Sequence, residues 1–330
     1  MSDWPIAIAQ GWHPVAALSE LPAQRPLAAR LLGQPLVLFR SGENVTVLRD
    51  RCPHRGAPLS QGQIQDGAIT CPYHGWRFDG EGRCIEIPGA QNCPAISAGT
   101  LPVRIEAGLI WTSLAADPPD FPRLPDAMQD TALDRFWWLL APSEAGLLDA
   151  LENHLDPAHP HFLHPWLVRA PDKRRPVSVE IREGPWGAEA IYVEERRNRA
   201  LLSAVMEGQR ARSIGRLWPP TIGEVRFEAA RGAMLSIAVI FVPVDTGMTR
   251  PLAHFASTRG WLPAWLKRAA LKAFHWPILC QDRRMLRLQQ RNRTQEPYVM
   301  GPLDVLAPAI WRHANAEPCP EKETQRELRL

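Results

Sequence analysis

Two short segments near the start of the chain concentrate side chains that bind metals. The first reads Cys52-Pro-His-Arg-Gly-Ala57. After 16 intervening residues beyond His54 comes Cys71-Pro-Tyr-His-Gly-Trp76. The pattern is C-x-H, a spacer, then C-x-x-H. Two thiolates and two imidazoles bind zinc or an iron–sulfur cluster. Structural zinc sites usually pair like ligands, as C-x2–4-C and H-x3–5-H. Here Cys and His alternate, which suits a two-iron cluster with two Cys on one iron and two His on the other, each arm giving one ligand to each. Pro53 and Pro72 stiffen the arms, and Gly56 and Gly75 allow tight turns beside the sulfurs.

A second run, Glu152-Asn-His-Leu-Asp-Pro-Ala-His-Pro-His-Phe-Leu-His164, is dense in histidine. An O2-activating Fe(II) needs two His and one carboxylate on one side, leaving other positions open. The residues alone leave open which of His154, His159, His161 and His164 would bind. Asp156 and His159 stand three apart and would share a helical face. His159 and His164 stand five apart, and Pro160 between them cannot sit in a regular helix interior. A break there would turn His164 back toward the same metal. The bland alternative is a His-rich surface turn.

The elements that must position these groups divide the chain. Gln34–Arg40 and Asn44–Arg49 read as a hairpin, as do Trp76–Asp79 with Cys84–Pro88, and Leu101–Glu106 with Leu109–Ser113. Short strands with frequent turns predict a small antiparallel β domain. The Pro- and Asp-rich stretch Asp117–Pro125 reads as a boundary. Beyond it we expect a helix over Glu144–Leu151 and strands at Val177–Ile181, Ala190–Glu194, Glu224–Glu228 and Leu235–Val242. Two further helices are expected at Ala264–Phe274 and Asp282–Arg291, with a loose polar tail from Ala314. The fold class is α+β, with domains at residues 1–118 and 119–330.

Bulk composition excludes several functions. The chain has 330 residues, 45% of them hydrophobic and 22% charged, with a net charge of +3 and no long basic run. Nucleic acid is therefore not an expected partner. The amino terminus lacks the pattern of a secretory signal. No run of 18 apolar residues occurs, so neither a spanning helix nor a membrane partner is expected. Six cysteines in a chain this long do not make a disulfide scaffold, which points to a reducing, cytoplasmic setting.

The segments Cys52-Pro-His-Arg and Cys71-Pro-Tyr-His-Gly-Trp-Arg-Phe resemble the Rieske domain of aromatic-ring-hydroxylating oxygenases, the Rieske non-haem iron oxygenases. The respiratory and photosynthetic Rieske proteins carry extra cysteines that form a disulfide beside the cluster; Ala57 and Tyr73 hold those places here. Trp76 stands where those proteins have a Ser that hydrogen-bonds a bridging sulfur, which implies a lower potential. The histidine run resembles the family's N-x-x-D-x-x-H-x-x-x-x-H motif, with Asn153 and Asp156 in the Asn and Asp places and His159 and His164 in the iron-ligand places. His154 and His161 fall outside it and are expected to be packing or solvated. Cys280–Gln290 resembles a later helix whose Asp completes the iron site, which points to Asp282, with Glu296 and Asp304 as weaker candidates.

The resemblance implies a helix-grip catalytic domain after the Rieske domain, a Rieske [2Fe–2S] cluster on Cys52, His54, Cys71 and His74, and a mononuclear Fe(II) on His159, His164 and Asp282. It implies a terminal oxygenase that hydroxylates or oxidatively demethylates an aromatic or heterocyclic small molecule. The alternative is a Rieske electron-transfer protein with no oxygenase chemistry of its own. In the family, working metal pairs form across the subunits of a ring, usually a homotrimer, so Asp156 would link His74 of a neighbour to His159. No dinucleotide fingerprint is found; a ferredoxin or an NAD(P)H-dependent reductase would donate electrons. Arg51, Arg55, Arg77 and Arg83 would either dock an acidic donor or make local contacts. Trp186, Trp218, Phe227, Phe241, Trp261 and Trp265 are candidates for a substrate lining, or simply core.

Overall fold

The computed structural model describes residues 4–165, 167, 176–193, 210–229, 232, 234–294, 296 and 298–330. The chain forms two compact units, one built on Ala9–Phe121 with Val242–Thr246, the other on Pro122–Phe241 and Gly247–Leu330 with Pro5–Ile8.

After a short helix α1 (Ile6–Gln10), the first unit contains β1 (His13–Ala17), β2 (Leu27–Leu31), β3 (Gln34–Ser41), β4 (Asn44–Arg49), β5 (Gln63–Gln65), β6 (Ala68–Thr70), β7 (Arg77–Phe78), β8 (Cys84–Glu86), β9 (Val103–Glu106) and β10 (Leu109–Thr112). They make three small antiparallel sheets, ordered β1-β10-β9, β2-β3-β4 and β5-β6-β7-β8. All three hairpins read from the sequence form. In β3–β4 the register runs from Leu36 opposite Arg49 to Ser41 opposite Asn44. Val37, Phe39, Leu48, Leu59, Ile69 and Phe78 are fully buried in one cluster that also takes in Cys52 and Cys71. Full burial of each large side chain contributes about 1.5–3 kcal/mol, so the cysteine arms stand on a well-packed core.

The second unit contains β11 (Leu133–Leu139), β12 (Ser143–Glu144), α2 (Leu147–Leu155), α3 (Pro160–Leu163), β13 (Pro176–Gly184), β14 (Gly187–Val193), β15 (Arg210–Trp218), β16 (Ile222–Ala229), β17 (Met234–Asp245), β18 (Met248–Thr258), α4 (Ala264–Arg291), α5 (Ala307–Ala314) and β19 (Lys322–Arg329). Its antiparallel sheet of nine strands runs β11-β18-β17-β16-β15-β14-β13-β19, with β12 also on β18. The helices pack on this sheet, as the α+β reading requires.

Three expectations are corrected. The first helix starts at Leu147, not Glu144, because Ser143 and Glu144 pair as strand residues with Thr249 and Met248. The two later helices are one helix of 28 residues that runs through Pro277. The polar tail is not loose: β19 pairs along β13 from Pro176↔Arg329 to Glu183↔Lys322. An edge strand is held by backbone ladder bonds and needs no apolar pattern. The expected strand end at Glu194 lies outside the described residues.

Candidate functional site

The two cysteine arms close in the same way. Cys52 N–H donates to Ala57 O at 2.8 Å and Gly56 N–H to Cys52 O at 2.8 Å; Cys71 N–H donates to Trp76 O at 2.7 Å and Gly75 N–H to Cys71 O at 3.1 Å. Each arm turns at a left-handed glycine, Gly56 at φ +73° and Gly75 at φ +71°. A Cβ on Gly75 would also lie 2.9 Å from Pro88 Cγ. The arms segregate their donors. Cys52 and Cys71 are 2% and 3% exposed and are free thiols. Burial pushes the Cys52 thiol up, and neighbouring Cys71 adds to the rise. His54 and His74 are exposed, with ring centroids 4.7 Å apart, and the Trp76 ring stacks on His54 at 4.6 Å. A buried sulfur pair beside an outward imidazole pair fits a two-iron cluster with unlike ends better than one tetrahedral zinc.

In the second unit, α2 buries Leu147, Leu148, Ala150, Leu151 and Leu155. It stops at Asp156, whose backbone is extended (φ −72°, ψ 122°), as a residue before proline prefers. The break therefore falls at Asp156-Pro157, not at Pro160, and Asp156 and His159 do not share a helical face. Pro160 instead opens α3, where its missing N–H costs nothing. The Asp156 carboxylate accepts from the backbone of Ala158 (2.7 Å) and His159 (3.2 Å) and holds the intervening turn.

His159, His164 and Asp282 bring one ligand atom each to within 4.8 Å of one another, a group that can hold a metal ion. His164 Nε2 lies 3.0 Å and His159 Nε2 3.7 Å from Asp282 Oδ1. Both rings use Nδ1 elsewhere. His164 Nδ1 meets Gln281 Oε1 at 2.7 Å, and His159 Nδ1 meets Asp156 O at 3.1 Å. An N–H on Nδ1 leaves the Nε2 lone pairs aimed at the shared point, so the donor set fits a divalent metal with two imidazoles and one carboxylate. Burial lowers the basicity of His164, but the hydrogen bond and charge of Asp282 overcome this and raise its pKa.

These groups open onto a cavity of about 270 Å³. The sheet supplies its floor at period two, with Thr249, Pro251, Ala253 and Phe255 from β18 and Ile237, Val239 and Phe241 from β17. The α4 helix supplies a wall at helical spacing, His275, Ile278, Leu279, Asp282, Arg283 and Leu286. Asp282 thus sits in the interior of α4, well past its start. Asn153 lines the same cavity. His154 does too, with its Nε2 3.3 Å from Ile237 O; burial pulls its pKa down to about 4, so the ring is neutral. His161 is buried, 3% exposed. Both extra histidines are therefore packed rather than solvated.

Other expectations fare unevenly. Phe227 and Phe241 line the cavity, and Trp138 and Phe255, not singled out from the sequence, join them. Trp218 is buried and donates to Glu224 Oε2 at 3.0 Å, while Trp186, Trp261 and Trp265 are 42%, 90% and 71% exposed. Glu296 is exposed and Asp304 accepts from the Gly301 backbone; neither joins the two histidines. Arg77 pairs with Glu86 at 2.7 Å and Arg83 with Asp79 at 3.0 Å, which are local contacts. Gln281 was missed. Its one signal is its place beside Asp282, and only the fold brings it to a histidine 117 positions earlier.

Comparison with known proteins adds an independent line. Residues 11–102 match the family described as Rieske [2Fe-2S] domain, and residues 144–315 the family described as vanillate O-demethylase oxygenase C-terminal domain. Chlorophyllide a oxygenase of Chlamydomonas reinhardtii is 36% identical over 162 residues, 46% of this chain and 24% of that protein. Methylxanthine N1-demethylase NdmA of Pseudomonas putida is 33% identical over 189 residues, 52% of this chain and 51% of that protein. The matched stretches thus span about half or less of these two relatives. The fold is that of NdmA with caffeine (TM-score 0.79, 23% identity, 93% of this chain and 90% of that one) and of dicamba monooxygenase bound to dicamba (TM-score 0.81, 21% identity, 94% and 97%). Paired Cys–His arms in an N-terminal β unit, followed by a matched oxygenase domain over half the chain, identify the family: this chain belongs to the Rieske non-haem iron oxygenases.

Proposed function

We propose that the chain is a terminal oxygenase, with an electron-receiving domain at residues 1–118 and a catalytic domain at 119–330. The observation that carries this reading is the convergence of His159, His164 and Asp282 at the wall of a largely apolar cavity. Cys52, His54, Cys71 and His74 would hold the Rieske cluster of this family, and His159, His164 and Asp282 its mononuclear iron. Bound there, these groups supply single electrons and dioxygen activation.

The chain's own residues do the rest. Gln281 and the Asp156 carbonyl fix the tautomers of His164 and His159, so both present Nε2 to one point. Phe227, Phe241 and Phe255 line the cavity with apolar aromatic surface, which favours an aromatic or heterocyclic small molecule. Asn153 and neutral His154 place polar atoms at the same wall and would orient it. The reaction is hydroxylation or oxidative demethylation. Electrons come from a ferredoxin or an NAD(P)H-dependent reductase in the cytoplasm. In a homotrimer, Asp156 would link His159 to His74 of the next subunit; its carboxylate lies 3.5 Å from His159 Nδ1.

The test combines metal analysis with oxygen uptake. The purified protein should hold about three irons per chain, two of them with acid-labile sulfide. It should consume O2 when given a reduced donor and an aromatic substrate drawn from a panel. His159→Ala should abolish that uptake and leave the cluster absorbance intact. Zinc without sulfide, or uptake indifferent to both His159→Ala and Asp282→Ala, would overturn the proposal, the latter in favour of a plain electron carrier.

A further inference from the structure

The amino-terminal half of α4 and the loop before it are unlike the rest of the surface. From Arg259 to Gln281 the sequence holds four basic residues, Arg259, Lys267, Arg268 and Lys272, and no Asp or Glu. The same stretch exposes large apolar side chains, Trp261 at 90%, Trp265 at 71%, Trp276 at 54% and Leu266 at 39%. Within α4 only Leu271 and Leu286 are buried. At 100° per residue, Trp265, Lys272 and Trp276 fall on one face, with Arg268 at its margin.

The cations are of two kinds. Lys267 and Arg259 are drawn to Asp134, at 2.6 and 3.9 Å. Arg268 and Lys272 have no acidic partner among the described residues. Each lies over an aromatic ring of β11 instead, Arg268 5.5 Å from the Phe136 centroid and Lys272 5.5 Å from that of Trp138. Two neighbouring, unneutralised cations flanked by exposed tryptophans repel each other in water and attract an anionic surface. Indole rings beside lysine and arginine on one helix are what the boundary between lipid headgroups and acyl chains accommodates best.

We propose that this Trp- and Lys/Arg-bearing face docks the chain on the surface of an anionic lipid bilayer. The docking is interfacial and needs no spanning segment; among the described residues, no helix is long and apolar enough to cross a membrane. It departs from the expectation of no membrane partner, which rested on the lack of a long apolar run. The patch also adjoins the cavity. Trp276 stacks on Trp138 at 6.1 Å, and Trp138 is part of the cavity wall. A sparingly water-soluble compound dissolved in the lipid would thus leave the bilayer next to the site. The proposal concerns the surface of the second unit and stands whether or not the oxygenase reading does.

The experiment is co-sedimentation of the purified, metal-loaded protein with vesicles of phosphatidylcholine alone or mixed with phosphatidylglycerol, at low and high salt. We expect pelleting with the anionic vesicles only, weakened by salt. Arg268→Ala with Lys272→Ala should cut partitioning roughly thirty-fold, the worth of two cations at such a surface. Trp261→Ser with Trp265→Ser should cut it further, with an unchanged circular dichroism spectrum because both rings are exposed. No pelleting at low salt, or pelleting that neither pair of substitutions changes, would overturn the proposal. So would a tryptophan variant that breaks into smaller species while the parent ignores vesicles; the face would then belong to contacts between copies of this chain.

Discussion

Gln281 is the sharpest lever on the proposed iron site, because it touches a ligand without being one. Its amide oxygen lies 2.7 Å from Nδ1 of His164, a ring only 1% exposed, so no solvent can replace it. Gln281→Leu keeps the volume and orphans a buried N–H. Such a group costs about 1–3 kcal/mol, which is about five- to 150-fold in an equilibrium constant. Loss of an outer partner to a metal-binding histidine typically weakens affinity about 10–100-fold. We therefore expect the Fe(II) dissociation constant to rise about thirty-fold, measured by competition with a chromogenic chelator, with the visible spectrum of the cluster unchanged. Gln281→Glu should do the opposite, since a carboxylate partner makes the imidazole a stronger donor. Parent-like affinity in Gln281→Leu would refute the reasoning. Equal losses in both variants would refute it too, because then Gln281 would matter only for packing.

His254 is 3% exposed, its Nδ1 has no hydrogen-bond partner among the described residues, and burial lowers its pKa to about 4. The unfolded chain then binds the extra proton first, so stability falls as pH drops from about 6.5 toward 4, by about 3 kcal/mol in all; melting curves should show that slope flattened in His254→Phe. Burial raises the Glu152 carboxyl to about 7, with nearby Asp304, Asp149 and Asp156 adding to it. The unfolded chain loses this proton first, so stability falls as pH rises from about 4.5 to about 7; Glu152→Gln should gain about 1–2 kcal/mol at pH 8, after allowance for solvent screening, and the gain should vanish below pH 4.5 in denaturant titrations. Gly75→Ala puts a methyl 2.9 Å from Pro88 Cγ at φ +71°. It should cost about 1–2 kcal/mol from the left-handed backbone alone, plus the clash, and lower the labile sulfide content of the purified protein.

What the sequence revealed depended on how local each feature is. The arms at Cys52–Ala57 and Cys71–Trp76 are short, closed by their own backbone, and readable from spacing. The β3–β4 hairpin is equally local. Asp282 is different: 118 residues separate it from His164, no spacing connects them, and only the family resemblance pointed there. Pro277 falls between the two expected helices and lacks an N–H, yet a continuous stripe from His275 to Leu286 along the cavity favours carrying on. The strand β19 gave no apolar signal, since seven of its residues keep some solvent contact. His159 was expected on a helix shared with Asp156; the Asp156-Pro157 bond decided otherwise.

The length of α4 has a mechanical consequence. The 28-residue rod is about 42 Å long, and 17 residues, about 26 Å of rise, separate Trp265 from Asp282. A helix transmits displacement along its axis with little loss, so a force at the exposed end reaches the carboxylate. Pro277 lies between them, five residues short of Asp282, where a missing hydrogen bond leaves the rod softest. A tilt of the outer segment would swing about that point and leave the inner turns pressed on the sheet; a push along the axis would move Asp282 against His159 and His164. A contact at the exposed end would thus act on the spacing of three donor atoms through one continuous helix interrupted at Pro277.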